Sequence, residues 1–224
     1  MNTKAVAIDG PSGAGKSTIA KAVAKRLGFI YVDTGALYRA VGLYMLDHGV
    51  DTQNDQQVIP RLSEAEVSLR FVDGEQRVFL NGQDVSLRIR ENEVSMAASN
   101  VSSIPQVRTF LFDLQQDIAK KNNIIMDGRD IGTVVLPNAD VKIFLTASPE
   151  ERATRRYEEL LERGQTVSYD TLLQEIKQRD YNDSHREIAP LKQAQDAVLV
   201  DTTGNELETS IHQLGELITH KLGL

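Results

Sequence analysis

One stretch near the start of the chain, Gly10-Pro11-Ser12-Gly13-Ala14-Gly15-Lys16-Ser17, constrains its folding more than any other. It fits the spacing G-x-x-x-x-G-K-[ST]. It stands between an apolar run, Ala5 to Ile8, and a segment whose Ile19, Val23 and Leu27 recur at helical spacing. A strand, a glycine-rich loop and a helix in that order aim successive backbone N–H groups at one point. The helix N-terminus adds partial positive charge there, Lys16 reaches terminal phosphates, and Ser17 offers a hydroxyl to Mg²⁺. The pattern therefore predicts a site for a nucleoside triphosphate with magnesium. The plainer alternative is a tight strand-to-helix turn with Lys16 in solvent, and the flanking strand and helix weigh against it.

The alternation continues downstream. Gly28 stops the first helix, Phe29 to Val32 predicts a second strand, and Asp33-Thr34-Gly35 turns into a helix carrying Leu37, Val41 and Met45. Between about residues 62 and 86 the period changes to two. Val67, Leu69 and Phe71 alternate, Asp73-Gly74 and Asn81-Gly82 are turn signals, and Val78 to Leu80 returns, so a small antiparallel insert is expected. Helices resume from Glu91 to Lys121, with Pro105 in the first turn of the second. Ile124 to Met126 and Val141 to Leu145 predict further strands. Pro149 to Arg163 and Leu172 to Arg186 predict charged helices joined through Gly164. Ala197 to Val200 is a last strand and Leu207 to Leu222 a last amphipathic helix.

Composition narrows the partners. A chain of 224 residues suits one α/β domain with an excursion. A formal charge of −7 disfavours nucleic acid and anionic lipid, which need a positive face to release counterions. No cysteine is present, so disulfides, thiolate metal sites and cysteine nucleophiles are excluded together. The apolar run before Asp9 is too short for a signal-peptide core and no later run reaches the length of a membrane span, so a cytosolic location is expected.

A guanine-reading Asn-Lys-x-Asp segment is missing, and the Asp-x-x-Gly match at Asp201-Thr202-Thr203-Gly204 comes too late to be a switch, which argues against a signalling GTPase. A small-molecule kinase is the leading class. Three further stretches, Asp33 to Arg39, Asp127-Gly128-Arg129-Asp130-Ile131-Gly132-Thr133 and Arg179 to Arg186, resemble the corresponding segments of bacterial cytidylate kinases. The similarity runs over essentially the whole chain and includes the phosphate loop and Ile188-Ala189-Pro190-Leu191.

The resemblance implies a P-loop kinase fold with helices around a central parallel five-stranded sheet of order 2-3-1-4-5. It implies a single domain with its core in 1–34, 105–148 and 187–224, a monophosphate-binding region over 35–104 containing the insert, and a helical lid over 149–186. It implies ATP as donor on Gly10, Pro11, Ser12, Gly13, Ala14, Gly15, Lys16, Ser17 and Thr18, with CMP or dCMP as acceptor. Thr34, Tyr38, Arg39, Ser99, Arg108, Arg129, Asp130, Arg179, Asp183 and Arg186 would hold the acceptor. Lys16, Arg129, Arg156, Arg179, Asp183 and Arg186 would serve the transfer, and Ser17 and Asp127 the Mg²⁺. A monomer is implied. Thr34 departs from the serine many relatives carry, keeping the hydroxyl and adding a methyl.

The residues themselves agree at several points. Asp33 and Asp127 each follow a predicted parallel strand, at the edge where open α/β sheets bind ligands. Arg179, Asp183 and Arg186 are spaced to share one face of a helix, as are Arg152, Arg156 and Arg163. Against a lid role, Glu151 and Glu159 lie four residues either side of Arg155, so that part of this arginine content has local acids to pair with. Two other functions stay open: a shikimate-type kinase with a hydroxyl acceptor, for which Asp33 would be the base, and a non-catalytic nucleotide-binding module.

Overall fold

A computed structural model of the chain describes residues 3–72, 74–162 and 164–224. Asp73 of the expected turn and Arg163 of the expected arginine stripe lie outside the described residues. In order the elements are β1 (Ala5–Asp9), α1 (Lys16–Leu27), β2 (Ile30–Asp33), α2 (Thr34–Asp47), α3 (Asp55–Arg61), β3 (Val67–Val72), β4 (Glu75–Leu80), β5 (Gln83–Asp84), α4 (Asn92–Val101) and α5 (Pro105–Lys121). There follow β6 (Ile124–Gly128), β7 (Val141–Thr146), α6 (Pro149–Glu162), α7 (Tyr169–His185), β8 (Val198–Asp201) and α8 (Leu207–Leu222). The fold is α/β. One sheet has five strands in the order β2-β6-β1-β7-β8, which is 2-3-1-4-5 when its strands alone are numbered, and the other is β3-β4-β5. Two compact units emerge, Met1–Phe29 with Asn123–Leu224, and Ile30–Asn122. Among the described residues no helix is long and apolar enough to cross a membrane.

In the first unit β1 pairs in parallel with β6 and β7, and β7 with β8. Val6, Ala7, Ile8 and Ile124 to Met126 are fully buried, which is why these runs read as continuously apolar rather than alternating. Each of these side chains but that of Ala7 contributes roughly 1.5–3 kcal/mol of burial, enough to carry buried carboxylates where the strands end. Asp9 and Asp127 are those carboxylates, and both are buried. The chain leaves β1 at Gly10 with φ 153°, and a Cβ there would lie 1.9 Å from the Leu145 carbonyl oxygen, so no side chain fits. α1 opens on Gly15 and closes on Gly28, both left-handed.

α7 ends at His185, one residue sooner than expected, and Arg186 is extended. The cause is local. The Leu191 N–H donates to the Asp183 carbonyl, which a continuing helix would have offered to residue 187.

In the second unit Leu37, Val41 and Met45 line up on α2 and are fully buried, as their spacing predicts. α2 crosses α4 at Gly42, where a Cβ would meet Ala98 N at 2.9 Å and the Ala97 carbonyl carbon at 3.1 Å. The insert is β3, β4 and β5 in antiparallel register, with Val67 opposite Leu80. Asn81 and Gly82 between β4 and β5 have φ of 48° and 79°, the pair of positive values a type I′ turn needs. Pro105 opens α5. α3 was not expected, since Pro60 lies inside it; the helix stops one residue later.

Candidate active site

The phosphate loop folds over its own lysine. Lys16 Nζ donates to the Pro11 carbonyl at 2.7 Å and is buried. Burial lowers its pKa from 10.5 to about 7, helped by the Arg129 and Arg179 charges and opposed by Asp127 and Asp9. Three cations thus face one place. Ser17 Oγ donates to Asp127 Oδ2 at 2.7 Å, so the hydroxyl and the carboxylate expected to serve Mg²⁺ are adjacent at the end of β6. Two hard oxygen donors suit that ion.

Asp9 was not singled out from the sequence. Its Oδ1 accepts from the Ile131 N–H and its Oδ2 from the Gly132 N–H, each at 2.7 Å. Burial raises its pKa to about 6 against the pull of those two donors, which leaves it ionised at neutral pH. It thereby fixes the single π-helical turn Ile131–Val135 that follows Arg129 and Asp130.

The arginines converge on Asp183. Arg129 Nε donates to Asp183 Oδ2 at 2.8 Å. Burial would raise the Asp183 carboxyl, but the Arg129 charge and hydrogen bond, then Arg179 and Arg186, outweigh it and hold the group below 3.8. Arg186 Nε donates to the Ala189 carbonyl at 2.6 Å, and its Nη2 lies 3.7 Å from Asp130 Oδ1. Arg129, Asp130, Arg179, Asp183 and Arg186 are therefore brought together, and Arg129 and Arg179 reach Lys16 electrostatically.

The α6 arginines part company. Arg156 pairs with Glu159 at 2.9 Å, an acid that the spacing in the sequence had set against Arg155, and among the described residues no contact joins Arg156 to this cluster. Arg155 pairs with Glu151 and donates to the Thr202 carbonyl. Arg152 is 2% exposed and committed within the protein: Nε to the Ala147 carbonyl at 2.9 Å, Nη1 to the Ser12 carbonyl at 2.9 Å, and a two-pronged pair with Asp180. Its stem packs on Gly13. With its donors so engaged, it is a strut between the phosphate loop and α7 rather than a group turned toward a ligand.

The second unit holds the remaining expected residues. Thr34 is buried at the start of α2. Asp33 caps that helix, its Oδ1 accepting from the Ala36 N–H at 3.1 Å, while its Oδ2 lies 3.8 Å from Arg39 and 3.5 Å from Arg90. Arg108 stands over the Tyr38 ring, 5.6 Å from its centre, and donates to the Ser102 carbonyl, while the Ser102 hydroxyl donates to the Ser99 carbonyl. Tyr38, Ser99 and Arg108 are thus linked through Ser102. Arg90, on a short 3₁₀ turn after the insert, gave no periodic signal in the sequence.

Comparison with known proteins identifies the family. A model of the cytidylate kinase family matches residues 6–220. The chain is 52% identical over 212 residues to a cytidylate kinase of Caldicellulosiruptor bescii, covering 95% of this chain and 94% of that protein. It is 52% identical over 204 residues to a cytidylate kinase of Streptococcus mutans, covering 90% of each. Among solved structures, an uncharacterized protein from Eubacterium ventriosum shares the fold with a TM-score of 0.54 at 14% identity, over 97% of this chain and 99% of that one. A phosphate loop, a half-buried arginine cluster and a family match over nearly the whole length lead to one statement: this chain belongs to the cytidylate kinase family.

Proposed function

We propose that the chain transfers the γ-phosphoryl group of ATP to the 5′-phosphate of CMP, and also of dCMP, giving ADP and the pyrimidine nucleoside diphosphate. The carrying observation is the gathering of Lys16, Arg129 and Arg179 in one field beside the phosphate loop, in a chain of this family. An oxygen of the acceptor phosphate bonds to the γ-phosphorus while the bond from that phosphorus to the β–γ bridging oxygen breaks, and ADP leaves with the electron pair. The acceptor's second pKa is about 6, so it is already largely dianionic at neutral pH and needs no general base.

Within the first unit Gly10 to Thr18 would hold ATP through main-chain N–H groups and Lys16. Arg129, Arg179 and Arg186 would spread positive charge over the moving group, each able to grip two oxygens at once. Asp183 would hold Arg129 by its hydrogen bond and offset the charges of Arg179 and Arg186, and Asp130 lies beside Arg186. Ser17 and Asp127 would hold Mg²⁺, which when bound neutralises and aligns the β- and γ-phosphates. Within the second unit Thr34, Tyr38, Arg39, Ser99 and Arg108 would receive CMP. Arg156 stays in the proposal only as an outer cation. A cytoplasmic monomer belongs to the same reading, checked by sedimentation and cell fractionation.

A hydroxyl acceptor is less well supported. Its base would be Asp33, whose carboxylate is engaged as a helix cap and faces Arg39 and Arg90. A non-catalytic module has no use for cations gathered where a phosphoryl group moves. The deciding experiment is a coupled assay of ADP formation with ATP and Mg²⁺ across CMP, dCMP, UMP, AMP, GMP and shikimate. CMP is expected to give the highest kcat/KM, with little ATP hydrolysis in its absence. AMP or shikimate as the best acceptor would overturn the substrate assignment.

A further inference from the structure

We infer that Gln76, in the antiparallel insert, is a positioning residue for the acceptor nucleotide. The inference rests on the reading of CMP as acceptor. Along β4 the side chains at 76, 78 and 80 point to one face. Val78 and Leu80 on that face are buried in the apolar core of the second unit. A glutamine in the same row needs a partner.

Gln76 finds it in the main chain of Asp33. Its Oε1 accepts from the Asp33 N–H at 2.8 Å and its Nε2 donates to the Asp33 carbonyl at 3.2 Å. β2 stands at the end of the sheet order, so among the described residues no strand pairs with its outer edge. One carboxamide therefore does at Asp33 what a further strand would do, satisfying donor and acceptor together. Asp33 is the last residue of β2 and the cap of α2, and its carboxylate lies by Arg39 and Arg90. Thr34, Tyr38 and Arg39 follow directly. Gln76 acts on the acceptor through Asp33, and the insert thereby clamps the point from which the acceptor-side groups hang.

The test is steady-state kinetics of the wild type, Gln76→Ala and Gln76→Glu, with CMP varied at saturating ATP, ATP varied at saturating CMP, and a thermal melt of each. Losing two neutral hydrogen bonds should raise the KM for CMP about five- to tenfold in Gln76→Ala and leave the KM for ATP within about twofold. Gln76→Glu keeps the shape but turns an acceptor toward the Asp33 carbonyl. Its KM for CMP should rise at least as far as in Gln76→Ala at about pH 7.5, where the carboxyl is ionised and repels the Asp33 carbonyl, with the KM for ATP again within about twofold. An unchanged KM for CMP in a folded Gln76→Ala protein, or equal rises for both nucleotides, would overturn the clamp. If Gln76→Ala does not fold, the isosteric Gln76→Glu decides, and an unchanged KM for CMP in that folded variant counts against the clamp. A wild type that does not phosphorylate CMP removes the functional reading first, and this inference with it.

Discussion

The phosphate loop before α1 and the turn before α2 are both strand-to-helix passages ending in a helix N-terminus, yet they are held by opposite means. Before α1 the backbone itself is the device. Gly10 lies so close to β7 that a methyl group would fall inside the Leu145 carbonyl, and Gly15 opens the helix at φ 82°. Before α2 the geometry comes from side chains, with Asp33 capping, Gln76 bonding to the main chain, and Arg39 and Arg90 at 3.8 and 3.5 Å from one carboxylate oxygen. Backbone geometry fails abruptly when disturbed, because nothing nearby can yield. Side-chain geometry fails by degrees.

That contrast can be broken most directly at Gly10. Gly10→Ala must displace the loop or β7, and a loss of at least about 3 kcal/mol in unfolding free energy is expected, read by denaturant titration. A wild-type midpoint would show that the loop is as yielding as the turn before α2.

The next effect concerns charge. Lys16→Ala should lower kcat by about a hundred- to a thousandfold while circular dichroism reports an intact fold. The lysine also predicts a proton signature. Its folded pKa, about 7, lies below the value of 10.5 in an open chain. Between those two pH values the unfolded chain holds the extra proton, so the cost of burying this charge is greatest below about pH 7 and is relieved as pH rises. The phosphates of ATP push the pKa back up. ATP binding near pH 8 should therefore take up as much as about one proton, measured by calorimetry in buffers of different ionisation enthalpy, and Lys16→Ala should abolish the uptake.

The smallest effect is expected at Gly35, the counterpart in α2. A Cβ there meets only the tips of flexible side chains, Asp33 Oδ1 at 3.1 Å and Arg39 Nη1 at 3.3 Å. Gly35→Ala should raise the KM for CMP only about two- to fivefold, while the gain in helix propensity, up to about 1 kcal/mol, holds the melting temperature level or lifts it. A collapse comparable to Gly10→Ala would erase the distinction.

The same division decided what the sequence revealed. The phosphate loop was legible because backbone chemistry demands glycine at fixed intervals, and the Asn81-Gly82 turn for the same reason. The continuous apolar runs of β1, β6 and β7 announced a buried parallel sheet. Arg179 and Asp183 were singled out by the resemblance, with their helical spacing in agreement, and Arg186 joins them although the helix stops before it. Arg152 and Arg156 share a helix face by spacing, the resemblance favoured Arg156, and the two have opposite fates. Arg152 is drawn inward by Asp180, 28 residues away, and Arg156 is kept outside by Glu159, three residues away. Spacing cannot distinguish those outcomes, because the deciding partner of Arg152 is remote. Gln76 was invisible likewise, since its partner is 43 residues off. Asp9 looked like the polar end of a strand, and only the fold brings the Ile131 and Gly132 N–H groups to it.

The crossing at Gly42 sets a rule for how acceptor preference in such a chain can drift. α2 carries Thr34, Tyr38 and Arg39, α4 carries Ser99, and the contacts of 2.9 and 3.1 Å awaiting any Cβ leave the two helices no room to slide independently. They travel as one piece. A lineage or a designer seeking another nucleobase must exchange side chains on that piece one at a time, because no backbone adjustment shifts the positions proposed to read the base while sparing those proposed to grip the phosphate.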